Sequence, residues 1–535
     1  MNKKTILLFV FLLTLSFYMY TLLPSLAWGD GVKLQSEVVS GESFLLSEIS
    51  SDVYTPDSLP FAKVGVAAWD HPLYIILGHL LVKAFPSVDS LWLANLFSAI
   101  FGAASITVLF VIAYNLTSSI WAACYTSFSL AVAHTFWWHS STPEVYTLFI
   151  FLLLVSYYFF EQFERTNKTA SLFISTFFLG LAASTHILAF LAFPAIGFYL
   201  LIVGQPFRLT FNWKALFIAT IGFLAGFSIY LIQLIRMSVN LNQGGVFDLV
   251  IGSAFLNKLN PLTPAILITS ILTYLFFLIV QFGPIGFVMG AMGCRKLSIH
   301  KITSLFIAYA LFGIFYRVTD QFTFFIASHV FWALAMGTGS LSTFNMIQSK
   351  WRFLIPGILL IQILVTPFFY NFLPQLADRY GVNDSTLGIP NVGIGIRNGL
   401  AYYINPYKRG DYSAYHFGEE TLSKLEPNSI VIAEWYTDTD EYFILRYFTK
   451  IKSQRSDVDV IGWPVEDPSD FDSQLVVDLV SENIASRPIY LASLSDKFYA
   501  ASKLIEEYCI VSGNNLYRVL PEDNGQCLSV DSVTE

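Results

Sequence analysis

With 535 residues, 55% of them hydrophobic and only 13% charged, the chain is far from the composition of a soluble protein, in which about a quarter of residues are charged. Its mean hydropathy of +0.59 and its 50 Phe and 28 Tyr define a polytopic membrane protein. A formal net charge of -8 offers no basic face to a nucleic acid, and four cysteines are too few for a disulfide scaffold.

Asn2-Lys3-Lys4 precedes an apolar stretch from Thr5 to Ala27. That stretch is longer than the roughly 7–15 residues of a signal-peptide core, so it predicts a first membrane helix with a cytoplasmic N-terminus. The mostly polar stretch from Gly29 to Trp69 then forms a long first outside loop. Later apolar runs fall at 90–113, 117–136, 144–161, 169–184, 186–203, 214–236, 263–294, 302–317, 322–341 and 353–373. Each is near the roughly 20 residues that cross about 30 Å of hydrocarbon.

Basic residues sort these runs. Arg165 with Lys168, Arg208 with Lys214, Arg295 with Lys296 and Lys301, and Lys350 with Arg352 lie in four connecting loops. Placing those loops inside fixes the alternation and gives about eleven spans. The loops "HSSTPEVY", "STH" around His186 and "YRVTDQ" around Arg317 then face outside. Residues 71–86 have both ends outside and read as a juxtamembrane helix rather than a span. The run 263–294 fits either one bent helix or two short ones.

The expected division is a transmembrane domain over 1–377, with a first outside loop over 28–89, and a soluble extracytoplasmic α/β domain over 378–535. In the latter, "SIVIAEW", "DVDVIGW" and "RPIYLAS" read as strands. "DTDEYFILRYFTKIKS" and "DSQLVVDLVSENIAS" have helical apolar spacing. Cys124 and Cys294 are packing residues, while Cys509 and Cys527 can form a disulfide if the tail lies outside the cytoplasm. "GIGIRNG", Gly393 to Gly399, has Asn398 where a dinucleotide fingerprint needs its third glycine, and reads as a loop.

Polar residues collect at the outside-facing span ends. They are Asp30 after the first span, Asp70 and His71 before an apolar helix, Glu144 and Tyr146 in "PEVYTL", His186, and Arg317 with Asp320. A polar residue at a span end can simply meet water or lipid head groups, and Asp70 can simply cap the helix that follows. Ionisable groups at membrane depth cost about 2.5–3.5 kcal/mol, so a set of them on one face points to a functional cavity. Carboxylates, histidines and an arginine at a membrane edge suit transfer of a sugar from a polyprenyl phosphate. The lipid phosphate is a good leaving group, the acceptor hydroxyl needs a carboxylate base, and a cation stabilises the charge that grows on the phosphate.

Walker A, GxSxG and HExxH patterns are absent from the chain, and "DTDE" at 438–441 lacks the other ligands and the glycine of a calcium loop. No cofactor is called for, and a need for divalent metal stays open.

Asp30 in "GDG", then "DHPLYIILG", "NLFSAIFGAASI" from Asn95, "PEVYTL" from Pro143, "THIL" from Thr185 and "YRVTD" from Tyr316 occur in order. This series resembles the GT-C superfamily of polyprenyl-phosphate-sugar glycosyltransferases. It is similar in particular to a broad group of bacterial and eukaryotic membrane proteins that includes the transmembrane O-mannosyltransferase acting on plexin-type receptor domains. The tail stretches "PNSIVIAEWYTDTDEYFILRYF" and "RPIYLA" resemble that group's outer domain.

The resemblance implies that Asp30 is the catalytic base and that Glu144 contacts donor or acceptor. In that frame Tyr146 and His186 line the pocket, and Arg317 with His71 holds the phosphate. Asp70 and Asp320 complete the substrate-binding set. The chain departs from the group at Lys33, where a Glu is usual, and in the shortened "DHPLY". The implied reaction moves a hexose, such as mannose, from a polyprenyl-phosphate donor to an extracytoplasmic protein hydroxyl or glycan. The partners are that lipid-linked sugar, the acceptor and membrane lipids, with no nucleic acid. The membrane is the plasma membrane in a prokaryote and the endoplasmic reticulum in a eukaryote. Two alternatives remain: a non-catalytic protein of the same fold, kept open by Lys33, and a lipid-linked sugar transporter or flippase, which would place polar groups at mid-bilayer.

Overall fold

The structure is a computed structural model that describes residues 2–42, 71–203, 213–240, 263–295, 300–316, 318, 320–347, 350–382, 399–434, 441–463, 471–513, 515–521, 527–529 and 532. The chain divides into two compact units. The first comprises Met1–Leu22, Glu37–Leu376 and Ile404–Arg409, and the second Leu23–Ser36, Ala377–Tyr403 and Gly410–Glu535.

The first unit is helical. Helix α1 (Lys3–Thr21) is followed by α2 (Asp30–Ser40), whose last turn belongs to this unit, and by α3 (Pro72–Ala84), α4 (Ser90–Thr117), α5 (Ile120–Ala131) and α6 (His134–Ser141). Next come α7 (Tyr146–Thr166), α8 (Thr169–Thr185), α9 (Ala192–Val203), α10 (Trp213–Asn240), α11 (Pro264–Cys294), α12 (His300–Phe315), α13 (Ile326–Met346) and α14 (Leu354–Arg379). Among the described residues, seven helices are long and apolar enough to cross a membrane, and five shorter apolar ones have 10–17 residues. The protein is a multi-pass helical membrane protein, and each expected apolar run contains helix, although the first, Thr5 to Ala27, is helical only as far as Thr21.

One run differs from expectation. The stretch 117–136, read as a single span, is broken at Val132 and Ala133 into α5 and α6. Residues 71–86 do form one short helix, with Pro72 in its first turn where a missing N–H leaves no bond unmade. The helix contacts α4, α8 and α10, and its buried residues are Pro72, Leu73, Tyr74, Ile75 and Gly78, the last of which faces Val38 of α2.

Helices α8 and α10 approach through small residues: a Cβ at Gly180 would strike the carbonyl oxygen of Phe223, and one at Gly226 that of Phe177. Close backbone contact of this kind is how helices associate where lipid is as apolar as the side chains.

The long run 263–294 is one element with a break. Gly283 has φ +66°, ψ 169°, and Pro284 follows it. Pro284 cannot donate to Val280, four residues back. The hydroxyl of Tyr370 donates to the Val280 carbonyl instead, at 3.1 Å, and the Gln362 amide donates to that of Phe282. Both groups come from α14. Backbone freed at a kink must find such partners inside a membrane, where no water replaces them.

The second unit carries α16 (Ser413–Lys424), preceded by the short helix α15 (Gly399–Ile404), and a five-stranded sheet. Strands β1 (Ile430–Ile432), β2 (Asp459–Ile461) and β3 (Ile489–Leu491) are the three expected ones, and β1 pairs in parallel with both others. Between them lie α17 (Glu441–Arg446), extended by a π turn over Tyr447–Ile451, and α18 (Gln474–Asn483). Two further strands, β4 (Cys509–Ser512) and β5 (Tyr517–Leu520), form an antiparallel hairpin whose second strand joins β3, giving the order β2-β1-β3-β5-β4. Cys509 is bonded to Cys527. "GIGIRNG" lies outside the described residues except for Gly399.

Candidate functional site

His71 is the residue from which α3 starts, and its backbone is left-handed, φ +55° and ψ 57°. A non-glycine residue takes that conformation only when its surroundings hold it there. Its Nδ1 lies 2.7 Å from the carbonyl oxygen of Thr185. A carbonyl accepts, so Nδ1 carries the proton and donates, which orients Nε2 away from that bond.

His186 follows Thr185 where α8 gives way to a 3-10 turn over Ile187–Leu191. Its Nδ1 accepts the N–H of Leu188 at 3.1 Å, so a neutral His186 ring carries its proton on Nε2. The two imidazoles stack with centroids 5.3 Å apart and planes 15° from parallel. Backbone partners thus fix both rings.

Tyr146, the first residue of α7, packs on His186 at 5.0 Å, and Phe324 lies 6.3 Å from each of these two rings. Glu144 stands two residues earlier and is half-buried. Its N–H donates to Ser98 Oγ at 3.0 Å, and that hydroxyl donates to the Glu144 carbonyl at 3.1 Å. Ser98 also meets the hydroxyl of Tyr74 at 3.2 Å. The stretches "NLFSAI" and "PEVYTL", 46 residues apart at these two positions, are therefore pinned together by one serine, which fixes where Glu144 leaves the backbone.

Asp320 precedes a 3-10 turn over Gln321–Phe325 and caps it through its carbonyl, which accepts from Thr323 at 2.9 Å. That turn brings Phe322 and Phe324 to the histidines. The structure therefore gathers His71, Tyr146 and His186 into one cluster and places Glu144 and Asp320 in segments that adjoin it in the chain. Asp70 and Arg317 lie outside the described residues. Asp30 belongs to the second unit, where it is the exposed first residue of α2, after Gly29 at φ +70°. Lys33 shares its helix face, three residues on.

Two residues of the first unit escape sequence reasoning. His139, in α6, is 1% exposed and lies 4.8 Å from Tyr146, with Phe322 stacked on its ring at 5.9 Å. Neither of its nitrogens has a hydrogen-bond partner among the described residues. The stretch "HSSTPEVY" begins with this very histidine, so a signal existed. Lys408 is 2% exposed, with its backbone N–H on the Thr21 carbonyl and its Nζ 5.7 Å from the Trp138 ring. Nothing in "NPYKRGD" announces that burial. Among the described residues, no three His, Cys, Asp or Glu side chains are placed to hold a metal ion.

The fold that carries this cluster is of the GT-C type, as comparison with solved structures shows. Residues 70–207, which carry the cluster from His71 to His186, match the family described as "Protein O-mannosyl-transferase TMEM260 N-terminal domain". Across its length the chain has the fold of ArnT from Cupriavidus metallidurans. The apo ArnT structure gives a TM-score of 0.56 at 13% identity, covering 97% of this chain and 98% of that one. The same protein bound to undecaprenyl phosphate gives 0.56 at 13% identity, with 98% and 99% covered. No curated protein matches by sequence. The resemblance to GT-C glycosyltransferases that the sequence motifs carry is borne out by both findings.

Proposed function

We propose that the protein is a membrane glycosyltransferase that takes a hexose, mannose in the first instance, from a polyprenyl phosphate and delivers it to an extracytoplasmic hydroxyl of a protein or glycan. The observation that carries this reading is the coincidence of two facts. The segment that matches a protein O-mannosyl-transferase domain is the segment in which His71, Tyr146 and His186 converge. The ArnT structure with undecaprenyl phosphate shows that this fold accommodates a polyprenyl phosphate in a distant protein.

In the proposed mechanism Asp30 accepts the proton of the acceptor hydroxyl as its oxygen attacks the anomeric carbon. The bond from that carbon to the phosphate oxygen breaks, and the polyprenyl phosphate leaves with the electron pair. His186, with its proton held on Nε2, donates a hydrogen bond to the departing phosphate, joined by His71 and Arg317. Glu144 and Tyr146 hold the sugar or the acceptor, with Asp70 and Asp320 at the margin.

The proposed orientation puts the N-terminus in the cytoplasm and the sheet-bearing unit outside, in the plasma membrane of a prokaryote or the endoplasmic reticulum of a eukaryote. The distribution of Lys and Arg supports it, and so does the Cys509–Cys527 bond, since disulfides persist outside reducing compartments. The test is transfer of label from mannosyl phosphoundecaprenol by membranes that hold the full-length protein. Wild-type turnover with loss in Asp30→Asn supports the reading. Undiminished Asp30→Asn removes the base, and a wild-type protein that neither binds nor turns over lipid-linked hexoses removes the reaction.

A further inference from the structure

We propose that Gln35 and Trp28 are positioning residues for Asp30, acting as a two-sided hook that fixes the backbone from which its carboxylate projects. The inference rests on the assignment of Asp30 as base, and all the contacts that carry it lie within the second unit.

The segment between α1 and α2 has no regular structure, so its backbone groups need other partners. Gln35 supplies two. Its Oε1 accepts the N–H of Ala27 at 2.9 Å, and its Nε2 donates to the carbonyl of Ser25 at 2.9 Å. Gln35 sits in the second turn of the helix that Asp30 begins, and it is 0% exposed. One side chain therefore folds the incoming segment back on the helix and closes the loop that contains Asp30.

Trp28 holds the other side. Its indole N–H donates to Ser413 Oγ at 2.8 Å, and its backbone N–H donates to the Tyr402 hydroxyl at 3.3 Å. Its ring packs on Phe417 with centroids 5.6 Å apart. Ser413 is itself held, its hydroxyl donating to Asp411 at 2.5 Å.

The outcome is an exposed carboxylate on an immobilised backbone. These bonds satisfy the backbone of the irregular segment, and they also fix the point from which the aspartate projects. A general base makes use of such a fixed point, because the reacting oxygen and the carboxylate must stay within hydrogen-bond reach.

A double-mutant cycle tests this on the full-length protein in membranes supplied with radiolabelled mannosyl phosphoundecaprenol. Gln35→Leu removes both hydrogen bonds at similar bulk, and Trp28→Phe keeps the ring contact but removes the indole donor. Each is expected to lower kcat by roughly 10–100-fold while KM for the lipid changes by less than about threefold. In the Asp30→Asn background the same substitutions should lower the residual rate by less than about twofold, since a hook without its base has nothing to position.

If Asp30→Asn leaves no measurable rate, Asp30→Glu takes its place in the cycle. The lengthened arm no longer matches the fixed backbone, so Gln35→Leu should then cost less than it does in the wild type. Equal loss in both backgrounds, or loss only in KM, overturns the inference and leaves Asp30 standing as base. Full turnover by Asp30→Asn overturns both together.

Discussion

In the helical unit His139 and His329 are each 1% exposed, and their ring nitrogens have no hydrogen-bond partner among the described residues. In the sheet-bearing unit the charged side chains of Arg455, Arg487 and Arg518 each grip a carboxylate, on Asp457, Asp459 and Glu426, at 2.5–2.9 Å. The helical unit is able to pair its charges: Lys301 bridges Glu161 and Glu164 near the C-terminal end of α7. Yet Tyr146, His139 and His186 meet at the opposite end of that same helix, which is about 30 Å long at 1.5 Å per residue.

Buried side-chain atoms without a partner occur in both units, Trp463 Nε1 and Arg518 Nε among them, but His139 and His329 are rings with both nitrogens unmatched among the described residues. Leaving a buried polar group without a partner costs about 1–3 kcal/mol, whereas a half-exposed ion pair contributes about 0–1 kcal/mol. The paired surface charges shape the α/β unit. The unpaired imidazole beside Tyr146 is a cost that a bound ligand would offset.

Four experiments break or sharpen that contrast. Asp30→Asn should have the largest effect, a loss of about 10²–10⁴-fold in turnover, with the thermal transition of the sheet-bearing unit unmoved. A matching fall in that transition would mean that the aspartate serves the fold instead. Next, Cys509→Ser should lower the stability of the α/β unit by about 3 kcal/mol, as expected for a loop of this length. Differential scanning calorimetry reads this as a downward shift confined to one of two transitions.

Third, His139→Leu replaces an unsatisfied ring with an apolar side chain of similar size. It should raise the stability of the ligand-free helical unit by about 1 kcal/mol and weaken binding of mannosyl phosphoundecaprenol. Lower stability with unchanged binding would show that the imidazole has a structural partner.

The smallest effect concerns pH. The Arg455 guanidinium and the Asn428 N–H hold the Asp457 carboxyl well below the usual carboxylate range. A depressed folded value means that the contribution is present above the unfolded value of about 3.9 and is lost as pH falls towards the folded one. Asp457→Asn should therefore flatten the stability of the α/β unit below about pH 4 and alter its slope little at neutral pH. An unchanged acid limb by circular dichroism would show that the pair does not contribute.

Much of this architecture is written locally. Runs of apolar residues announced the long membrane helices, though not the separate α6 nor α15 and α16, and "SIVIAEW", "DVDVIGW" and "RPIYLAS" announced β1, β2 and β3. The hairpin β4–β5 goes beyond the three expected strands; its signal in the sequence is "SGNN", a turn between two short β-rich stretches. In the ring cluster, Tyr146 and His186 are legible from "PEVYTL" and "THIL", because polar residues next to apolar runs stand out in one dimension, and the structure packs the two rings together. His139 opens "HSSTPEVY" but follows two tryptophans, which mask it as part of an apolar run, and Lys408 lies in an ordinary polar loop.

By itself, then, the sequence determined the membrane class, the helices, the strand–helix alternation of the tail and the family resemblance. All of these depend on hydrophobic period and on motifs a few residues long. Only tertiary structure decided which groups meet. His71 bonds to Thr185 across 114 residues, and Tyr370 answers the Val280 carbonyl left by Pro284 across 90. Leu23–Ser36 likewise joins the sheet-bearing unit through Trp28 and its partner Ser413, 385 residues on. Such pairings are set by the packing of helix faces and by the need of buried polar groups for partners, neither of which leaves a mark at any single place in the chain.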